Sequence, residues 1–134
     1  MSISGIPVQK FKPNNPFYPV KGGEKIERGA ATVILDGLLQ NANGTEGVAA
    51  GLAVTPADNT GGVDGAIECE VESCGGMIAP GLAVTLTSFA TPVYVSGPET
   101  FTTDPALGVR WGKLHQIFPN GAGIYFESES SPGV

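Results

Sequence analysis

The chain has 134 residues, of which 15% are charged and 20 are glycine, with a formal net charge of −6. That length fits one domain able to bury a core without disulfides, and the low charge with abundant glycine describes a turn-rich β-protein whose surface suits contact with a partner. Residues 1–28 hold five bases against two acids, whereas the rest of the chain holds only Arg110 and Lys113 against eleven acids; a body this acidic repels phosphate backbones, which excludes general nucleic-acid binding.

Residues 1–20 carry Pro7, Pro13, Pro16 and Pro19. Four prolines remove four backbone donors and forbid a helix, so the sequence predicts an extended N-terminal arm without strand partners of its own. The arm is not a polar tail. Ile3, Ile6, Val8, Phe11, Phe17 and Tyr18 recur along it with Lys10 and Lys12 between them, and apolar groups on such an arm need a surface to cover. That surface is either the arm's own domain or a neighbouring subunit, and these eight residues are the candidate partner contacts. The first 25 residues lack the apolar run of a signal peptide, and no segment approaches the roughly 20 apolar residues of a membrane span. A soluble protein made in the cytoplasm, without membrane partners, is expected.

The body spans residues 21–127. Gly22-Gly23 reads as a turn, and with no Gly-x-x-x-x-Gly-Lys-Ser/Thr and no following helix it is not a phosphate loop. Ala30 to Leu35 reads as a buried strand closed by Asp36-Gly37, a hairpin signal. Asn41 to Gly44 marks the next turn. Gly47 to Val54 is nearly all apolar, small and uncharged, which suits a strand buried on both faces. Pro56 stops it, and Asp58-Asn59-Thr60-Gly61-Gly62 is turn chemistry. Past Asp64-Gly65 the pattern alternates: Ile67, Cys69 and Val71 on one face, Glu68, Glu70 and Glu72 on the other, the mark of a half-buried strand.

Cys69 is placed in the core and Cys74 in a turn, both as reduced thiols. Gly-Leu-Ala-Val-Thr occurs at 51–55 and again at 81–85, a match that two core strands of similar packing explain as well as a duplication does. Further strands are predicted at Thr91 to Val95, Glu99 to Thr102, Leu107 to Phe118 and Gly123 to Glu127, the last two joined by a Pro119-Asn120-Gly121 turn. Residues 128–134 read as a flexible polar tail. No window holds a sustained helical period. The predicted fold is all-β, a small barrel or sandwich of about eight to ten short strands.

No constellation points to an enzyme. His115 is the sole imidazole and has no acid near it in sequence, so a structural or surface role is expected rather than nucleophile activation. The three glutamates of one strand face lie about 7 Å apart, a spacing glycosidases use, but an open acidic face more simply solvates or meets bases on a partner. Asp58, Asn59 and Asp64 do not follow the order of a calcium-binding hand loop. Two thiols and one imidazole do not make a zinc site. Trp111 with Tyr94, Phe101, Phe118 and Tyr125 is expected in the core, with sugar stacking on Trp111 or Tyr94 as the functional alternative. Neither a cofactor nor a metal is predicted.

The succession of features resembles the capsid cement (decoration) proteins of tailed bacteriophages. Lys21-Gly22-Gly23-Glu24-Lys25-Ile26-Glu27-Arg28-Gly29-Ala30 opens the resemblance, and Gly51-Leu52-Ala53 continues it. Asp58-Asn59-Thr60-Gly61-Gly62-Val63-Asp64-Gly65 follows, running into Ile67-Glu68-Cys69-Glu70-Val71. Val93-Tyr94-Val95 and Leu107-Gly108-Val109-Arg110 close it. The resemblance covers about residues 20–127. It implies an all-β domain on the outer surface of the virion head, bound to the major capsid protein and to itself as a homodimer or homotrimer. It also implies that the protein stabilises the shell and performs no chemistry. A small-ligand or carbohydrate-binding β-domain on a virion or cell surface is the alternative.

Overall fold

A computed structural model describes residues 15–79, 81–82 and 90–127. Among them the chain is all-β, with twelve strands and no helix, more strands than the eight to ten expected because several are only two or three residues long. The first five-stranded sheet has the order β1 (Phe17–Pro19), β7 (Glu68–Glu72), β5 (Val48–Ala53), β3 (Ala31–Leu35), β4 (Leu38–Asn41). The second has the order β10 (Thr100–Thr102), β9 (Pro92–Gly97), β11 (Val109–Phe118), β12 (Gly121–Glu127), β8 (Cys74–Ala79). A small ladder joins β2 (Lys25–Ile26) to β6 (Ala57–Asp58). Every strand pairing is antiparallel, and the sheets do not close into a barrel. Of the two architectures the sequence allowed, the sandwich is the one formed.

Two cores explain the sequence pattern of the first sheet. Ala31, Val33 and Ala49 pack against Val93, Val95, Trp111, Ile124 and Phe126 of the second sheet. On the opposite side, Ala50, Ala53, Cys69 and Val71 pack with Val20, Ile26 and Leu39. The first sheet is therefore covered on both faces, and its central strands β3 and β5 alternate between two apolar environments instead of between core and water. That is why Val48–Ala53 carries no charge. The backbones also approach closely here: a Cβ on Gly51, whose φ is +141°, would overlap the carbonyl oxygen of Glu72 on β7.

The hairpin from β3 to β4 turns at Asp36 (φ 54°) and Gly37 (φ 78°). Two successive positive φ values make the tight turn whose twist matches the flanking strands, as Asp-Gly predicts.

Two expectations are corrected. Phe17–Pro19 is not a strandless arm segment: it is β1, paired with Glu68–Glu70, and Val20 is fully buried. An edge strand tolerates proline because only alternate positions face the neighbour, and Pro16 serves as an acceptor, its carbonyl taking the N–H of Val71 at 3.0 Å. Cys74 lies in strand β8 rather than in a turn, because the chain from Cys74 to Ala79 pairs along β12, with Gly75 opposite Phe126 and Gly76 opposite Tyr125. Of the repeated pentapeptide, Gly51-Leu52-Ala53 lies in β5, and Gly81 and Leu82 lie in no strand. Residues 83–85, residues 1–14 with Ile3, Ile6, Val8, Lys10, Phe11 and Lys12, and the tail 128–134 lie outside the described residues.

Candidate interaction surfaces

The acidic face of β7 forms as the alternation predicts. Cys69 and Val71 are fully buried, while Glu68 is exposed and Glu70 and Glu72 are half-buried on the other side. The root of the arm is fastened to this face. Asn15 Nδ2 donates to Glu70 Oε2 at 3.0 Å, and Phe17 stands opposite Glu70 in the ladder with 59% of its surface exposed. Tyr18, the other arm residue within the described chain, pairs with Cys69 and packs against the inner core. Of the eight candidate contacts, the structure thus places one outward beside the acids and one inward.

The loop after β6 is organised by Asn59. Only 3% exposed, its Nδ2 donates to the carbonyls of Val63 (2.9 Å), Val20 (3.1 Å) and Lys21 (3.3 Å). Its backbone N–H donates to the Glu24 carbonyl and its own carbonyl accepts from Gly23 and Gly62. Asp64 Oδ1 accepts from the Gly22 N–H at 2.8 Å. Asp58 Oδ1 accepts from the hydroxyl and N–H of Thr60, which hold its carboxyl below the usual range. These acids are occupied with turn chemistry, and no group of three potential metal-ligating side chains occurs among the described residues.

On the outer face of the second sheet, strand β11 departs from regular pairing twice. Arg110 pairs with Tyr94 and Gly112 with Val93, leaving Trp111 as an extra residue; on the other side, Leu114 pairs with Ile124 and Gln116 with Gly123, leaving His115 extra. The first bulge changes the phase of the strand, so that Val109, Trp111 and Leu114 all point inward and Arg110 and Lys113 both point outward. Arg110 stands across from Tyr94, Lys113 across from Tyr125. A shallow depression of about 360 Å³ is lined by Arg110, Gly112, Lys113, Tyr125 and Glu127. Arg110 Nε donates to the Gly112 carbonyl at 3.2 Å, and the Tyr125 hydroxyl donates to Glu127 at 3.3 Å.

A second, apolar depression of about 270 Å³ lies between Ile78, Phe118, Gly123 and His115. His115 is exposed. Trp111 is not an open platform for a sugar: it is 1% exposed, stacked on Phe126 with ring centroids 5.3 Å apart and tilted against Phe101 at 6.0 Å. Its indole N–H donates to the Met77 sulfur at 3.3 Å. The two cysteines are free thiols; Cys69 is buried and donates to the Thr55 carbonyl at 3.4 Å, and burial followed by the nearby Glu70 raises its pKa.

The sequence reading missed the co-facing bases and the Asn59 hub. The bases had a signal, since Val109, Trp111 and Leu114 are inward-type residues spaced by two and then by three. The hub had none, because Asn in a glycine-rich turn reads the same whether its amide faces water or three carbonyls.

No helix among the described residues is long and apolar enough to cross a membrane. No protein-family model, no curated protein and no solved structure matches the chain.

Proposed function

We propose that this chain is a non-enzymatic structural protein that binds the outer surface of a phage head, contacts the major capsid protein and itself, and stabilises the shell. The observation that carries this reading is the surface built around the arm root. Phe17, 59% exposed, stands beside an acid row to which Asn15 is hydrogen-bonded, so the preceding fourteen residues start from a fixed point at the rim of the sandwich. An arm with Ile3, Ile6, Val8, Phe11 and two lysines, launched from a rigid anchor, suits a clamp on a neighbouring subunit. The resemblance of the motif succession to that of cement proteins supports the same reading. Repetition on a lattice makes modest contacts sufficient, because many identical ones act together.

The test is co-sedimentation of the purified protein with shells that lack it. Full-length protein is expected to saturate a fixed number of sites, and protein lacking residues 1–14 to bind far less well while remaining folded. Equal occupancy by the truncated protein refutes the clamp.

The carbohydrate-binding alternative loses Trp111, whose faces are used by Phe126 and Phe101, and rests on Tyr94 alone. A glycan array without hits removes it.

A further inference from the structure

We propose that the outward face of β11 at Arg110 and Lys113 is the docking site for the acidic β7 face of a second copy of this chain. Arg110 and Lys113 are the only bases in residues 29–134. Three positions apart on a regular strand, they would point to opposite sides of the sheet. The extra residue at Trp111 puts both on the outer side, where they line one depression with Tyr125 and Glu127. Neither makes an ion pair with any described residue of its own chain; among the described residues Lys25 pairs with Glu27.

The spacing of the two faces agrees. Arg110 stands opposite Tyr94 and Lys113 opposite Pro92, so the bases are separated by two ladder positions, about 7 Å along the strand. Glu68 and Glu70 are likewise two positions apart on β7, with the same repeat. Each face also carries an aromatic group beside its charges: Phe17 next to the acids, Tyr94 and Tyr125 next to the bases. Opposite charge in matching register with aromatic surface alongside is the composition of a specific, polar protein contact.

The two faces are different patches, so they meet either reciprocally about a two-fold axis or head to tail. Head-to-tail contacts close into rings when the rotation permits and otherwise propagate. The assembly expected is a closed oligomer in which the base face of each copy meets the acid face of another. Single exposed ion pairs contribute little. Each contact is then weak and salt-sensitive, and closure supplies a second contact per chain. This inference rests only on the self-association part of the proposed function and concerns protein free of any shell, so its failure leaves capsid binding standing, and the converse holds.

The experiment is light scattering on the full-length protein at about 20 mM and about 500 mM salt, where screening is weak and strong respectively. Wild type is expected to show a multiple of 13.7 kDa at low salt and to dissociate at high salt. Arg110→Glu/Lys113→Glu and Glu68→Lys/Glu70→Lys are each expected to be monomeric; the first keeps the wild-type melt, and the second melts somewhat lower because it loses the Asn15 bond to Glu70. Their equimolar mixture is expected to associate, because each face of one variant carries the charge opposite to the face it meets on the other. Glu68→Lys alone keeps the Asn15 bond to Glu70 and gives an intermediate loss. A wild type that stays monomeric at low salt, an oligomer that ignores both charge reversals, or a mixture in which the two variants do not associate overturns the proposal.

Discussion

Arg110 and Lys113 reach the same side of the second sheet because Trp111, bulged out of the ladder with β9, takes up the odd residue between them. One residue thus sets two features, the largest buried side chain in the domain and the basic spot on its surface. Removing Trp111 therefore acts on both sides of the sheet.

Trp111→Ala is expected to destabilise the domain by about 3–5 kcal/mol, the range for emptying a large aromatic site in a packed core. Urea titration followed by circular dichroism measures it. Trp111→Phe keeps the stack on Phe126 and is expected to cost less. Because Trp111 is the only tryptophan, native fluorescence reports its burial directly: emission is expected blue-shifted and protected from iodide quenching.

Asn59→Ala removes the amide that donates to Val63, Val20 and Lys21 and leaves buried carbonyls without a donor. The expected loss is about 1–3 kcal/mol, the cost of stranding buried polar groups. Asn43→Ala, at an exposed turn position, serves as the comparison and is expected to lie within about 0.5 kcal/mol of wild type. Equal denaturation midpoints for the two variants contradict the hub.

Cys69 gives a pH dependence with a defined sign. Its folded pKa is raised by burial and by Glu70, so above the ordinary thiol value the unfolded chain releases a proton that the folded chain keeps, and stability falls as pH rises. This contribution is present in full below about pH 8.5, the unperturbed thiol pKa, and declines above it. Cys69→Ala lacks it, so the stability difference between wild type and variant is expected to shrink with rising pH. In the folded protein, a thiol reagent is expected to modify half-exposed Cys74 quickly and Cys69 slowly.

The boundary of the arm is also testable. Removing residues 1–14 leaves Asn15 and β1 in place, and an unchanged melt is expected. Removing residues 1–20 takes away β1 and the fully buried Val20, whose N–H donates to Ile67 at 3.0 Å. That truncation is expected to lower the melting temperature by several degrees or to prevent folding, as loss of a buried core residue and an edge strand does in a domain of this size.

Where the sequence carried a strong local rule, it gave the structure directly. Asp36-Gly37 formed its hairpin, Glu68 to Glu72 its one-sided acidic strand, and the charge-free run at Val48–Ala53 its burial on both faces. Where two rules competed, it misled. The prolines of the arm hid β1, because an edge strand needs donors only at alternate positions. Gly75-Gly76 read as a turn because local propensity does not register Phe126 and Tyr125 on the partner strand fifty residues later. The candidate surface was legible only as separate pieces. The acid row was visible on β7, but the matching base pair depends on a bulge, and a bulge is specified by cross-strand pairing rather than by the two bases themselves.

The proposal that this chain adds to a phage head and strengthens it is tested by the temperature at which DNA escapes from heads with and without the protein, at low salt. Heads carrying it are expected to hold their DNA to a higher temperature, and adding purified protein to bare heads is expected to restore that temperature in proportion to occupancy. Identical release curves for the two kinds of head, at full occupancy, contradict the account.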